Sequence, residues 1–134
     1  MNDFNVKFRI IGIEHRHVYT QAQFLVELGA ELAGWYTEGS PNTLAGFRKR
    51  FPKAKRFTDP RSLLEDPNIQ VILTSAIPSE RAKISISAMK HGKDVMSDKP
   101  GCLSFDELEE LRQTVQQTGR IWSVDFSERF DGFC

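Results

Sequence analysis

Three segments carry the side chains best suited to chemistry. The first is Gly12-Ile13-Glu14-His15-Arg16-His17, between an apolar β-rich run and a helical pattern. A dinucleotide-binding loop at such a place carries G-x-G-x-x-G, which gives a tight turn, close pyrophosphate approach and close helix packing. Only the first glycine is present; Glu14 and His17 take the second and third positions. Glu14 repels a pyrophosphate unless it turns away or pairs with a cation, whereas Arg16 and the helix start favour an anion. Two histidines at i and i+2 beside a carboxylate also resemble the beginning of a metal site. No third ligand cluster follows, because His91 closes a later helix, so the ligand count leads us to expect no metal.

The second segment is Thr37-Glu38-Gly39, after another β-rich run. An acidic residue about 20 positions past a glycine loop can accept hydrogen bonds from ribose hydroxyls. The third pairs the turn Ala76-Ile77-Pro78-Ser79-Glu80-Arg81 with Lys99-Pro100. A lysine at a strand's carboxyl end can donate to a substrate hydroxyl or carbonyl and stabilise developing charge. The following proline fixes the backbone, and X-Pro is where cis bonds occur. On its own, a Lys-Pro pair is simply a turn. The basic run Arg48–Arg56 reads as a solvated helix end, or as a holder of a 2′-phosphate.

These segments must be positioned by the elements around them. Val6–Ile13, Glu31–Tyr36, Ile69–Ile77, Lys93–Asp98 and Arg120–Phe126 read as strands, with the nearly continuous apolar run Ile69–Ile77 at the centre of the sheet. Val18, Ala22, Leu25 and Leu28 have helical spacing before Gly29. Ser40-Pro41 and Asp59-Pro60 read as helix starts, an N-cap followed by proline at the first helical position. Ser79 opens a helix ending at Gly92. Ser104-Phe105-Asp106-Glu107 is a capping box for a helix with an apolar stripe at Leu108, Leu111 and Val115, closed by Gly119. Strand–helix alternation with short connections implies βαβ units: a doubly wound α/β domain of five to six parallel strands with helices on both faces. Ligands in such sheets sit beyond the carboxyl ends of the strands, where all three chemical segments fall.

The 134 residues fit a single domain and are too few for a (β/α)₈ barrel. Eighteen Lys+Arg against eighteen Asp+Glu give zero formal charge, which argues against a general nucleic-acid binder. No apolar run is long enough to span a membrane, and the N-terminus does not read as a signal peptide, so the expected compartment is cytoplasmic, with Cys102 and Cys134 as free thiols.

Taken together the segments resemble the N-terminal domain of the Gfo/Idh/MocA family of NAD(P)-dependent oxidoreductases. The most specific stretch is His91-Gly92-Lys93-Asp94-Val95-Met96-Ser97-Asp98-Lys99-Pro100, similar to the family's G-K-x-V-x-x-E-K-P with Asp98 for the glutamate. Ala76-Ile77-Pro78, the helix Ser104–Thr118 and Val124-Asp125-Phe126-Ser127-Glu128-Arg129-Phe130 support it. The resemblance implies a Rossmann-like domain over residues 1–126, with 127–134 beginning the connection to a second, substrate-binding domain. It implies NAD or NADP as cofactor, NAD being favoured by Glu38. The implied cofactor-binding residues are Gly12, Ile13, Glu14, His15, Arg16, His17, Thr37, Glu38, Ala76, Ile77, Pro78, Arg81, Asp98, Lys99 and Pro100, and Lys99 is also the implied catalytic residue. Expected partners are the dinucleotide and a small sugar, cyclitol or polyol in a longer protein, with little turnover from this chain alone. Neither nucleic acid nor membrane is expected. A homo-oligomer is an open expectation, through apolar surface near Phe126, Phe130 and Phe133. The alternative is a non-catalytic Rossmann module that binds a small ligand or a protein.

Overall fold

A computed structural model describes residues 6–125. The expectations for Phe126, Phe130, Phe133, Cys134 and the boundary after residue 126 lie outside the described residues. The chain forms β1 (Lys7–Ile11), α1 (His17–Glu27), β2 (Glu31–Tyr36), α2 (Leu44–Arg50) and α3 (Pro60–Leu64). It continues with β3 (Val71–Thr74), α4 (Pro78–Lys90), β4 (Asp94–Asp98), α5 (Phe105–Thr118) and β5 (Trp122–Asp125). The strands pair in parallel in the order β2-β1-β3-β4-β5, with β3 in the middle. Beyond β2, Trp35 N–H donates to the Lys55 carbonyl and Phe57 N–H to the Trp35 carbonyl, leaving one parallel bridge between Trp35 and Arg56. With that bridge in the place of a sixth strand, the order is the 3-2-1-4-5-6 of a doubly wound dinucleotide fold.

The sheet separates two apolar layers. Phe8, Ile10, Trp35 and Leu73 meet Val18 and Ala22 of α1 and Phe47 of α2. On the opposite face, Ile11, Ile72 and Val95 meet Leu63 of α3, Ala82, Ile86 and Met89 of α4, and Leu111 of α5. At about 1.5–3 kcal/mol for each large apolar side chain fully buried, this core holds α2 and α3, which are too short to be helical alone.

One irregularity sets the facing of β2. Phe8 pairs with Leu32 but Ile10 with Trp35, so β2 carries one extra residue. Strand side chains alternate, and without that bulge Leu32 and Trp35 would face opposite sides; with it, both join the α1–α2 layer. Gly34 absorbs the bulge at φ +138, and a Cβ there would lie 2.4 Å from the Phe57 ring.

Two expectations need correction. Ser40-Pro41 does not start α2, which begins at Leu44 after Thr43 and has no side-chain cap. The Thr43 hydroxyl donates instead to the Ile13 carbonyl, tying α2 to the loop after β1. Leu28 and Leu108 do not join the core; they are 64% and 42% exposed, and α5 faces inward with Leu111, Thr114 and Val115. The capping box is present as read. Ser104 Oγ accepts Glu107 N–H at 3.1 Å, and Glu107 Oε1 accepts Leu103 N–H at 2.7 Å. Among the described residues, no helix is long and apolar enough to cross a membrane.

Candidate functional site

The loop after β1 is strapped to both neighbouring strands. Gly12 N–H donates to the Tyr36 carbonyl at 2.8 Å, Ser75 N–H to the Gly12 carbonyl at 3.0 Å, and His15 N–H to the Ser75 carbonyl at 3.0 Å. Gly12 has φ +92, and a Cβ there would lie 2.4 Å from Ala76 Cβ. The turn therefore requires glycine both for its backbone angle and for its approach to the end of β3. Ile13 is fully buried in the α1–α2 layer, so its side chain anchors the loop and only its backbone is left for a ligand contact.

Glu14 turns toward the end of β2, where its Oε2 accepts the Thr37 hydroxyl at 3.4 Å; its Oε1 is buried without a hydrogen-bond partner. Glu38 is exposed on the next loop. Arg56 holds that loop by donating from Nη2 to the Gly39 carbonyl at 2.7 Å and to the Thr37 carbonyl at 3.3 Å. Of the basic run, Arg56 is thus built into the site's edge, while Arg48, Lys49 and Arg50 are exposed in the last turn of α2.

Asp98, 1% exposed at the end of β4, is the hub of the site. Its Oδ1 accepts Lys99 N–H at 2.9 Å, and both His17 Nδ1, at 3.1 Å, and Gln21 Nε2, at 3.4 Å, approach the same oxygen. Its Oδ2 lies 3.4 Å from His15 Nδ1 and 3.8 Å from Arg81 Nη2 and has no hydrogen-bond partner. Gln21 extends the network, donating to Asp125 Oδ2 at 3.0 Å and accepting the Ser75 hydroxyl at 2.9 Å. One buried polar network therefore links α1 with the ends of β3, β4 and β5.

Arg81, an expected cofactor contact, is 1% exposed, with its guanidinium engaged between the ends of β3 and β4. Its Nε donates to the Ala76 carbonyl at 2.6 Å, and its Nη1 to the carbonyls of Lys99 at 2.6 Å and Pro100 at 3.2 Å. Burial pulls its pKa below the usual value, and the carboxylates of Asp98 and Glu14 push it back up. The Lys99–Pro100 peptide is cis. Ile77 and Pro78 are exposed at the start of α4, while Ala76 is buried against Gly12.

His15 and His17 are half-exposed at the start of α1, their ring centroids 4.1 Å apart. Partial desolvation lowers the pKa of His15, as does the neighbouring His17, while Asp98 opposes the shift. Arg16, next to them, is exposed. From here a cleft of about 610 Å³ runs over β4 and β5, lined by His17, Gln21, Phe24, Met96, Asp98 and Asp125 among others.

The structure thus gathers Gly12, Glu14, His15, His17, Thr37, Asp98 and Lys99 along one edge of the sheet. It withdraws Ile13 and Arg81 into the interior. Sequence reasoning missed Gln21, which reads as a polar interruption of a helix face, and the union of Asp98 with two histidines 81 and 83 positions before it. The signal for that union was topological: parallel strands bring their carboxyl ends together.

The crevice suits a dinucleotide. Gly12 gives the close turn against Ala76, Glu14 directs its carboxylate at Thr37, and His15, Arg16 and His17 surround the start of α1 with nitrogen donors. Comparison with known proteins agrees. The model of an oxidoreductase family with an NAD-binding Rossmann fold, Gfo/Idh/MocA, matches residues 6–126. Scyllo-inositol 2-dehydrogenase (NAD(+)) of Bacillus subtilis is 36% identical over 73 residues, 54% of this chain and 21% of that protein. Myo-inositol 2-dehydrogenase of Thermotoga maritima is 25% identical over 88 residues, 66% of this chain and 26% of that protein. A crystal structure of a proposed oxidoreductase from Erwinia carotovora atroseptica superposes with a TM-score of 0.89 at 33% identity, covering 92% of this chain and 37% of that one. The chain thus spans about a fifth to a quarter of these curated relatives.

Proposed function

Because the chain belongs to the Gfo/Idh/MocA family of oxidoreductases with an NAD-binding Rossmann fold, we propose that it binds a nicotinamide dinucleotide across the ends of β1, β2, β3 and β4 and serves polyol oxidation. The observation that carries this reading is Gly12, whose left-handed turn packs on Ala76 at the switch point between β1 and β3. His15, Arg16 and His17 would meet the pyrophosphate, and Thr37 and Glu38 the adenosine ribose. The ring end would lie near Asp98, Lys99 and Pro100. NAD is favoured over NADP because Glu38 offers acceptors to ribose hydroxyls and repels a 2′-phosphate. The inositol dehydrogenases among the relatives suggest a cyclitol, sugar or related alcohol as substrate.

When bound, the dinucleotide supplies a nicotinamide ring that accepts hydride from a carbinol carbon. The chain's own part is to hold Lys99. Its N–H is bound by Asp98 and its carbonyl by Arg81, so the side chain starts from a fixed backbone. Lys99 exchanges a proton with the substrate oxygen or stabilises its charge. The chain spans a small share of its relatives' length, so we expect cofactor binding by these 134 residues without turnover of a polyol.

Calorimetric titration with NAD⁺, NADH, NADP⁺ and NADPH tests the proposal. Saturable micromolar to low-millimolar binding, tighter for the NAD pair, is the expected result. No heat with any of the four on folded protein would sink it. A second reading, a non-catalytic binding module, draws on Glu14 at the second glycine position, and the same titration on Glu14→Gly protein discriminates between the two.

A further inference from the structure

We propose that His15, His17 and Asp98 form a binding site for one divalent transition-metal ion of the zinc class. A ring nitrogen of each histidine and a carboxylate oxygen of Asp98 lie within 4.8 Å of one another. This follows from the fold alone, since α1 starts beside the end of β4 with β3 between β1 and β4.

A second observation points into the same gap. Asp98 Oδ2 is buried and lacks a hydrogen-bond partner, although His15 Nδ1 is only 3.4 Å away. His15 Nδ1 accepts the His17 backbone N–H at 3.1 Å, so in this arrangement it carries no proton of its own. That nitrogen therefore donates nothing to Oδ2, and a cation bound through Oδ2 would supply the partner this oxygen lacks, with His15 turning its nitrogen from the His17 N–H to the ion. Zinc bonds of about 2.0–2.2 Å to nitrogen and oxygen set tetrahedral ligands roughly 3.3 Å apart. The 3.4 Å contact from His15 and the 3.1 Å contact from His17 to the two oxygens are of that size. The rings are tilted by 57° and do not stack flat, which leaves nitrogens from both near the carboxylate.

Two imidazoles and one carboxylate favour zinc, cobalt or nickel over calcium and magnesium, which prefer all-oxygen shells. Three protein ligands leave a coordination position for water or an anion. Arg81 opposes the ion, with Nη2 at 3.8 Å from Oδ2, but its Nε and Nη1 point to the carbonyls of Ala76, Lys99 and Pro100. Glu14 and Asp98 attract the ion while Arg81 and the neighbouring Arg16 repel it, two charges of each sign. The expected affinity is accordingly moderate, in the micromolar range.

The test uses chelator-treated full chain without dinucleotide, so its outcome is independent of the cofactor reading. Zinc chloride is titrated by calorimetry, and cobalt chloride is followed by its visible absorption. Expected are one equivalent bound, a raised Tm, and affinity weakened about tenfold or more in His15→Ala and His17→Ala. Both side chains are half-exposed, so both variants should fold, which their thermal transitions check. His91→Ala, altering a histidine at the far end of α4, should bind as the wild type does. Absence of saturable zinc binding would overturn the proposal. So would binding that survives the His15→Ala/His17→Ala double variant, or binding that His91→Ala abolishes.

Discussion

Arg81 Nη1 donates to the carbonyl oxygen of Lys99 at 2.6 Å, reaching from the first turns of α4 to the loop after β4. Through this bond and the Asp98 bond to Lys99 N–H, the lysine proposed to act on substrate has both backbone polar groups fixed by buried ionic side chains. Replacing Arg81 by Met keeps much of the volume but strands three carbonyls, of Ala76, Lys99 and Pro100, and leaves Asp98 without its buried cation. The expected loss is about 3–5 kcal/mol of stability, measured as a fall in denaturant midpoint. A loss below about 1 kcal/mol would show that the tie does not hold the site together.

Gly12→Ala meets two obstacles: φ +92, and a neighbouring backbone at Ala76 that cannot swing aside. Strain and overpacking each cost about 1–3 kcal/mol. Dinucleotide affinity should fall with stability, because the loop must shift to admit the methyl group. Gly39→Ala is the control. It also has positive φ, +65, but its Cβ would meet nothing within 4 Å, so about 1–2 kcal/mol is expected.

Glu14→Gly restores the second glycine of the loop and removes a carboxylate with a buried, unpartnered oxygen. NADH should bind roughly tenfold tighter, about 1.4 kcal/mol, by calorimetry. An unchanged dissociation constant would mean that Glu14 does not face the dinucleotide and would favour the binding-module reading.

Glu38→Arg exchanges an acceptor of ribose hydroxyls for a guanidinium suited to a phosphate. The loop itself should persist, since Arg56 holds it through the Thr37 and Gly39 carbonyls. The NADPH to NADH affinity ratio should rise by about tenfold or more, measured by paired titrations. A ratio that stays put would place the adenosine ribose elsewhere.

Much of the fold was legible because it is written in local rules. Glu31–Tyr36 is the strand its β-rich composition predicts, Asp59 caps α3 through its side chain, and Gly119 ends α5 at φ +70. The near-continuous apolar run before Ser75 became the middle strand because only a strand covered on both faces needs such a run. The helix start at Ser40-Pro41 misled for a tertiary reason: Thr43 spends its hydroxyl on Ile13, and α2 begins beyond it.

By itself, the sequence determined the strand–helix alternation and the parallel sheet, since these depend on periodicity and caps, and its short motifs carried the resemblance to the family. Tertiary structure alone decided which charged groups are solvent-facing and which are interior. Arg81 and Arg56 look alike in sequence with the exposed cations beside them, yet each is consumed by backbone carbonyls of a neighbouring loop. His15, His17 and Asp98 meet only because parallel strands end together, bringing one donor atom of each to within 4.8 Å of the others across more than 80 positions of sequence.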